Sequence, residues 1–167
     1  MGGLALSTTE VGFIYGTLGL LALIVGGLLG GWFASVYGLK RLLWTYVALM
    51  NLPGIVYIYL AYTQTSSLWI IGSSVVMEQF GYGFGFTAFS LYMLSISAGQ
   101  HKTSNYAFST GIMALGMMLP GMISGWLEDL WGYPHFFIWV MICTFPGFIL
   151  TKFIHFESNF GIRESTK

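Results

Sequence analysis

The sequence predicts an all-α membrane protein with five transmembrane helices. Three observations carry that prediction. Of the 167 residues, 56% are hydrophobic and only 7% are Asp, Glu, Lys or Arg, whereas a soluble domain carries about 25% charged residues. Uncharged stretches long enough to cross the hydrocarbon, about 20 residues each, recur along the chain. Gly contributes 23 residues and aromatics 18%, against 4 Pro, a mixture suited to helices packed in lipid. Six basic and six acidic side chains cannot coat a water-facing surface. The net charge is zero, no basic patch exists and Cys143 is the single cysteine. A nucleic-acid binder, a disulfide-stapled domain and a disordered chain are therefore excluded. A transmembrane sheet is excluded too, because alternating ten-residue segments are absent.

Charges and polar breaks divide the chain. No residue is charged from Val11 to Leu39, nor from Leu42 to Met77. The second stretch is too long for one crossing and is split by the polar run Tyr62-Thr63-Gln64-Thr65-Ser66-Ser67. The expected crossings are 11–37, 42–62, 68–95, 106–127 and 134–155, with an outer segment 1–10 and a tail 156–167. Ser7 and Glu10 have the spacing of a capping box, which marks the first helix start. Pro134 suits the first turn of the fifth helix. Pro53, Pro120 and Pro146 fall inside crossings and are expected to kink them.

Orientation follows from the basic residues. Lys40, Arg41, Lys102, Lys152, Arg163 and Lys167 all fall on one side of this arrangement, and Glu10, the 63–67 loop and Glu128-Asp129 on the other. By the positive-inside rule the N-terminus is expected outside and the C-terminus in the cytoplasm. The long first crossing has no basic segment ahead of it, so it does not read as a cleavable signal. Gly pairs four apart recur at Gly12/Gly16, Gly26/Gly30, Gly27/Gly31, Gly81/Gly85 and Gly121/Gly125. Small residues at that spacing let helix backbones approach closely, so each pair is expected at a packed seam.

One residue stands out for chemistry. Glu78 lies about ten residues into the third crossing, roughly 15 Å deep at 1.5 Å per residue. An ionised carboxylate there costs at least ~2.5 kcal/mol on insertion scales, so it needs a reason to be kept. Its helical face carries Ser74, Gly81, Tyr82 and Gly85, and should turn toward the bundle or a wet cavity. A proton-carrying site is the functional expectation; hydrogen-bonded glue between helices is the structural one. Gln79 and Tyr82 are weaker candidates for substrate contact. Asn51, just before Pro53, is weaker still and is expected mainly to bond the backbone that the proline loosens. Cys143 reads as packing. No nucleophile–base pair, metal-ligand cluster or phosphate loop is visible, so neither an enzyme, a cofactor nor a metal is expected.

The stretch Gly31-Trp32-Phe33-Ala34-Ser35-Val36-Tyr37-Gly38-Leu39-Lys40-Arg41 resembles the loop signature of the major facilitator superfamily. Gly31, Gly38, Lys40 and Arg41 match it, and Ser35 stands where the family carries an acid. The run from Glu78 to Phe89, with Gly81, Gly83 and Gly85, resembles the glycine-rich segment of the muropeptide permeases, the AmpG-like branch. Tyr106-Ala107-Phe108, Pro120-Gly121, Ser124-Gly125-Trp126, Gly132-Tyr133 and Phe136-Phe137 follow the same order, so the resemblance covers residues 7 to 155. It implies a partial C-terminal half of a major facilitator fold, crossings eight to twelve, whose partner is the missing N-terminal half. It further implies proton-coupled import of anhydro-muropeptides across a bacterial inner membrane by alternating access, with Glu78 on a cavity-lining helix. Membrane lipid and a small-molecule substrate are the other expected partners. The alternatives are another solute (a drug, a sugar or an acyl-CoA-like anion) or a five-span scaffold that transports nothing.

Overall fold

The computed structural model describes residues 7–65, 67–154 and Phe160. Residues 1–6 of the expected outer segment, Ser66, His155 and most of the expected tail, including Arg163 and Lys167, lie outside the described residues. Those described are almost entirely helical, with no strand among them.

Four long helices follow one another. Helix α1 runs from Thr8 to Tyr37 and opens on the expected capping box. The Ser7 side chain accepts from the Glu10 N–H, and the Glu10 carboxylate accepts from the Ser7 N–H at 2.8 Å. From Ile14 to Gly19 its ladder widens into a π-helical stretch. Helix α2 spans Leu39–Thr63, and the connection from α1 is Gly38 alone, at φ 82°. That left-handed conformation is strained for any residue with a Cβ, which is why the glycine of the loop signature sits there. Within α2 the regular ladder breaks only at Leu52, ahead of Pro53. The Asn51 side-chain amide donates to the Val47 carbonyl at 2.7 Å, whereas the carbonyl that Pro53 leaves without its helical N–H is that of Leu49. Helix α3 is Leu68–Ile96.

Helix α4, Lys102–Thr151, has 50 residues, or about 75 Å if straight. It is not straight, because Gly132 has φ 72° and ψ 160° and breaks the helical path. Its two arms, 102–131 and 133–151, meet at a sharp corner where a loop over 128–133 was expected. Pro134 begins the second arm, as its position suggested, whereas Pro120 and Pro146 lie within regular helix. By length and apolarity, α1, α2 and α4 are each able to cross a membrane, with mean hydropathies of 2.1, 1.4 and 1.6.

Packing makes α3 the centre. It touches α1 and α2 extensively and buries ten residues, among them Val75, Gly81, Phe84 and Ala88. Partly covered by its neighbours, α3 can carry Ser74, Glu78 and Gln79 on its buried and half-buried sides, where an ionisable group is better tolerated than against lipid. The contact is backbone-close. A Cβ on Gly26 would overlap the Phe80 carbonyl oxygen, and one on Gly30 would come within 2.8 Å of the Phe84 oxygen. Gly83 and Gly81 are equally tight against the Leu23 and Leu49 carbonyls. Phe84 fills the seam, its ring tilted 31° against that of Tyr46 at 4.7 Å, and the Tyr46 hydroxyl donates to the Gly30 carbonyl at 2.6 Å.

Two of the expected seams are corrected. Around Gly12/Gly16 and Gly121/Gly125 no atom lies within 4 Å of a built Cβ. Those pairs sit on open faces, because the start of α1 and the first arm of α4 have no described helix beside them there. On that arm Phe108 is 72% exposed and Met122 77%.

This contrast predicts opposite signs for one substitution. Gly83→Ala should destabilise the reconstituted protein by about 1–3 kcal/mol, as overpacking does. Gly121→Ala should be neutral or stabilise by about 0.5–1 kcal/mol, since alanine favours helix where space is free. Unfolding by SDS titration in bicelles measures both, and equal effects would contradict the close approach at Gly83.

Candidate functional site

Glu78 leaves α3 on the side of α2 and is half-buried. Its Oε2 accepts a hydrogen bond from the Tyr57 hydroxyl, which belongs to the second half of α2. Tyr15, in the π-helical stretch of α1, stands within interaction range of the same Tyr57. The Tyr57 ring in turn stacks on Phe137 at 5.6 Å and 18°, and Phe137 stacks on Tyr133 at 6.3 Å. Tyr133 directly follows the Gly132 corner. A carboxylate in the middle of α3 is thus linked through one tyrosine to the second arm of α4.

Ser74, one turn before Glu78, is buried, and its hydroxyl donates to the Ile70 carbonyl at 2.7 Å. Gln79 projects toward α1, where its Cγ would lie 3.2 Å from a Cβ on Gly19. Tyr82, one turn beyond Glu78, stacks on Phe86 at 5.8 Å, and both line a cavity of 530 Å³. Asn51 lines that cavity too, with Met50 and Val47 from the same helix. Glu78 and Gln79 do not reach it. The four candidates therefore divide: Asn51 and Tyr82 share a cavity, Glu78 belongs to the α2–α3 interface, and Gln79 faces α1.

Both arms of α4 border the cavity, through Met113 and Met117 on the first and Cys143 to Gly147 on the second. In an uninterrupted helix, Met117 and Cys143 would lie about 39 Å apart at 1.5 Å per residue, too far to enclose one space. The Gly132 corner brings them together. Cys143, read as inert packing, is a free thiol on this wall.

The loop signature occupies the α1–α2 turn. Ser35, in the place of the family's acid, spends its hydroxyl on the Trp32 carbonyl at 2.7 Å, while Lys40 and Arg41 are exposed at the start of α2. Tyr57 is the residue that sequence reasoning missed. An intramembrane carboxylate needs a hydrogen-bond partner, but nothing in the spacing distinguishes Tyr57 from the nine other tyrosines.

Helices of this length and apolarity, three of them able to cross a membrane, are those of a multi-pass α-helical membrane protein. No protein-family model matches the chain. It is 29% identical over 148 residues to the anhydromuropeptide permease of Escherichia coli K12, a match covering 89% of this chain and 30% of that protein. It is 31% identical over 144 residues to the putative transporter AmpG 2 of Rickettsia prowazekii, covering 84% and 34% respectively. The chain is therefore similar along most of its length to AmpG-type permeases, as its motifs indicated, and it spans about a third of the length of these relatives.

The Tyr57–Glu78 contact makes a measurable prediction. Tyr57→Phe keeps the stack on Phe137 but leaves the carboxylate without its donor, and should cost about 1–3 kcal/mol. In a double-mutant cycle with Glu78→Gln, the combined loss should fall short of the sum by about 1 kcal/mol or more. Strict additivity in unfolding experiments would show that the two side chains are not coupled.

Proposed function

We propose that this chain is part of a proton-coupled secondary permease of the bacterial inner membrane that imports anhydro-muropeptides or related cell-wall amino-sugar peptides. In this reading the helices form five crossings of a major facilitator fold, with α4 supplying the last two on either side of Gly132. The N-terminus is periplasmic and the C-terminus cytoplasmic, and the portion of the relatives that this chain does not match supplies the opposing bundle. Solute would pass between the two bundles as they rock about a midplane site, the general secondary-transporter mechanism.

The observation that carries the reading is the half-buried Glu78 on the most enclosed helix, in a chain similar to AmpG-type permeases. A carboxylate at that depth is costly and marks a proton or substrate path by default. Here Glu78 takes and releases the proton, and Tyr57 holds its carboxylate between α2 and α3. Tyr82, one turn away, and Gln79, on the neighbouring face, are the side chains proposed to meet the amino sugar. Asn51 gives one amide N–H to Val47, which leaves its second N–H and its carbonyl oxygen. Gly31, Ser35, Gly38, Lys40 and Arg41 form the tight turn that keeps α1 and α2 moving as one unit.

In a full-length permease carrying this segment, Glu78→Gln should abolish uptake of labelled anhydro-muropeptide driven by an imposed pH gradient, while membrane insertion is retained. Uptake into vesicles measures the first and protease protection the second. Unchanged gradient-driven uptake would remove Glu78 from the mechanism.

A further inference from the structure

The cavity beside Tyr82 is unsuited to a sugar, although it adjoins the proposed transport residues. Most of its polar lining groups are already engaged. The Tyr46 hydroxyl donates to the Gly30 carbonyl and the Asn51 amide to the Val47 carbonyl. Thr144 and Thr151 donate to the carbonyls of Met141 and Gly147 at 2.7 and 2.8 Å. Hydrocarbon and rings make up most of the remaining wall, including Leu43, Val47, Met50, Phe86 and Met117. A hydroxyl-rich solute would lose water there for little in return.

The shape and the charge at one end point to a different occupant. The α2 wall runs from Leu43 to Asn51, about 12 Å, and the α4 wall from Cys143 to Ile154, about 16 Å at helical rise. The two walls are antiparallel, because Trp44 meets Phe148 and Gly54 meets Met141. Leu43 and Ile154 therefore share one end, and Asn51 and Cys143 the other. The first end is basic: exposed Lys40 and Arg41 precede Leu43, and exposed Lys152 lies between the lining residues Thr151 and Ile154. No charged residue lines the cavity itself; at the far end, by Asn51, Tyr82 and Cys143, the nearest charge along α3 is the half-buried Glu78, one turn from Tyr82 and opposite in sign to the basic mouth.

We propose that this cavity holds one acyl chain of a phospholipid with an anionic headgroup, the chain lying along the slot and the phosphate meeting Lys40, Arg41 and Lys152. An apolar slot with cations at one mouth matches that amphiphile in both chemistry and polarity. The proposal is independent of the transported solute.

The test uses the 167-residue chain in nanodiscs of phosphatidylglycerol or phosphatidylcholine, each doped with the same lipid bearing a diazirine at mid-chain. Crosslinks should map to peptides containing Val47–Met50 and Cys143–Gly147, with yields roughly fivefold or more higher for the anionic lipid. Arg41→Gln with Lys152→Gln should erase that preference, and Cys143→Trp should fill the slot and abolish the crosslinks. Alkylation of wild-type Cys143 by a maleimide gives a readout that needs no variant, and it should slow as phosphatidylglycerol replaces phosphatidylcholine. Crosslinks confined to the outer face around Phe108 and Met122 would overturn the proposal. So would an alkylation rate indifferent to lipid, or displacement of the tagged lipid by an amino-sugar peptide, which would make the cavity a solute site.

Discussion

The carbonyl oxygens of Leu23, Leu49 and Phe80 lie where a Cβ would have to stand if Gly83, Gly81 or Gly26 were any other residue. Everything else in this structure depends on that approach. In lipid, helices gain nothing from hiding apolar side chains from one another, because the acyl tails are as apolar as leucine. Association must come from van der Waals contact, polar bonds across the interface, and backbone contacts of the Cα–H···O kind. The glycines of α1 and α3 bring their backbones close enough for these terms to accumulate. Bonds from Thr87 to the Gly27 carbonyl at 3.1 Å and from Tyr46 to Gly30 then cross the seam.

Holding α3 in the centre is what makes Glu78 tolerable. Had that helix faced lipid, its carboxylate would have met acyl tails. Enclosed between α1 and α2, it meets a tyrosine hydroxyl. The same placement connects it onward, since Tyr57 is wedged between the carboxylate and the rings of Phe137 and Tyr133. That chain of contacts runs from Glu78 to Tyr133, the residue after the backbone break at Gly132. The cavity lies on the other side of that break's consequences, enclosed because the two arms of α4 fold toward each other. The Tyr57–Glu78 contact and the apolar cavity thus occupy neighbouring but separate parts of the molecule, with Tyr82, one turn from Glu78, on the cavity wall.

Helical content and the capping box were legible because they depend on composition and on residues three or four apart. Gly38 was legible as a turn because the loop signature named it. The glycine pairs were only half legible. The spacing of Gly26/Gly30 and of Gly121/Gly125 is the same, yet one is clamped and the other open, since a periodic pattern says that a helix can be approached and not whether another helix is there. Glu78 could be singled out because a charge in a long apolar run is costly wherever it lies. Its partner could not, because Tyr57 is 21 residues away and ten tyrosines carry the same hydroxyl.

By itself, then, the sequence determined the solvent, the helices and the one titratable group that apolar surroundings must accommodate, because transfer energies and helical periodicity are properties of local composition. Only the tertiary structure decided which helix lies at the centre, which tyrosine meets Glu78, and that Asn51 and Tyr82 line a common cavity while Glu78 does not. Those outcomes depend on the angle at Gly132 and on the few ångströms between backbones, and both are settled by packing between residues remote in the chain.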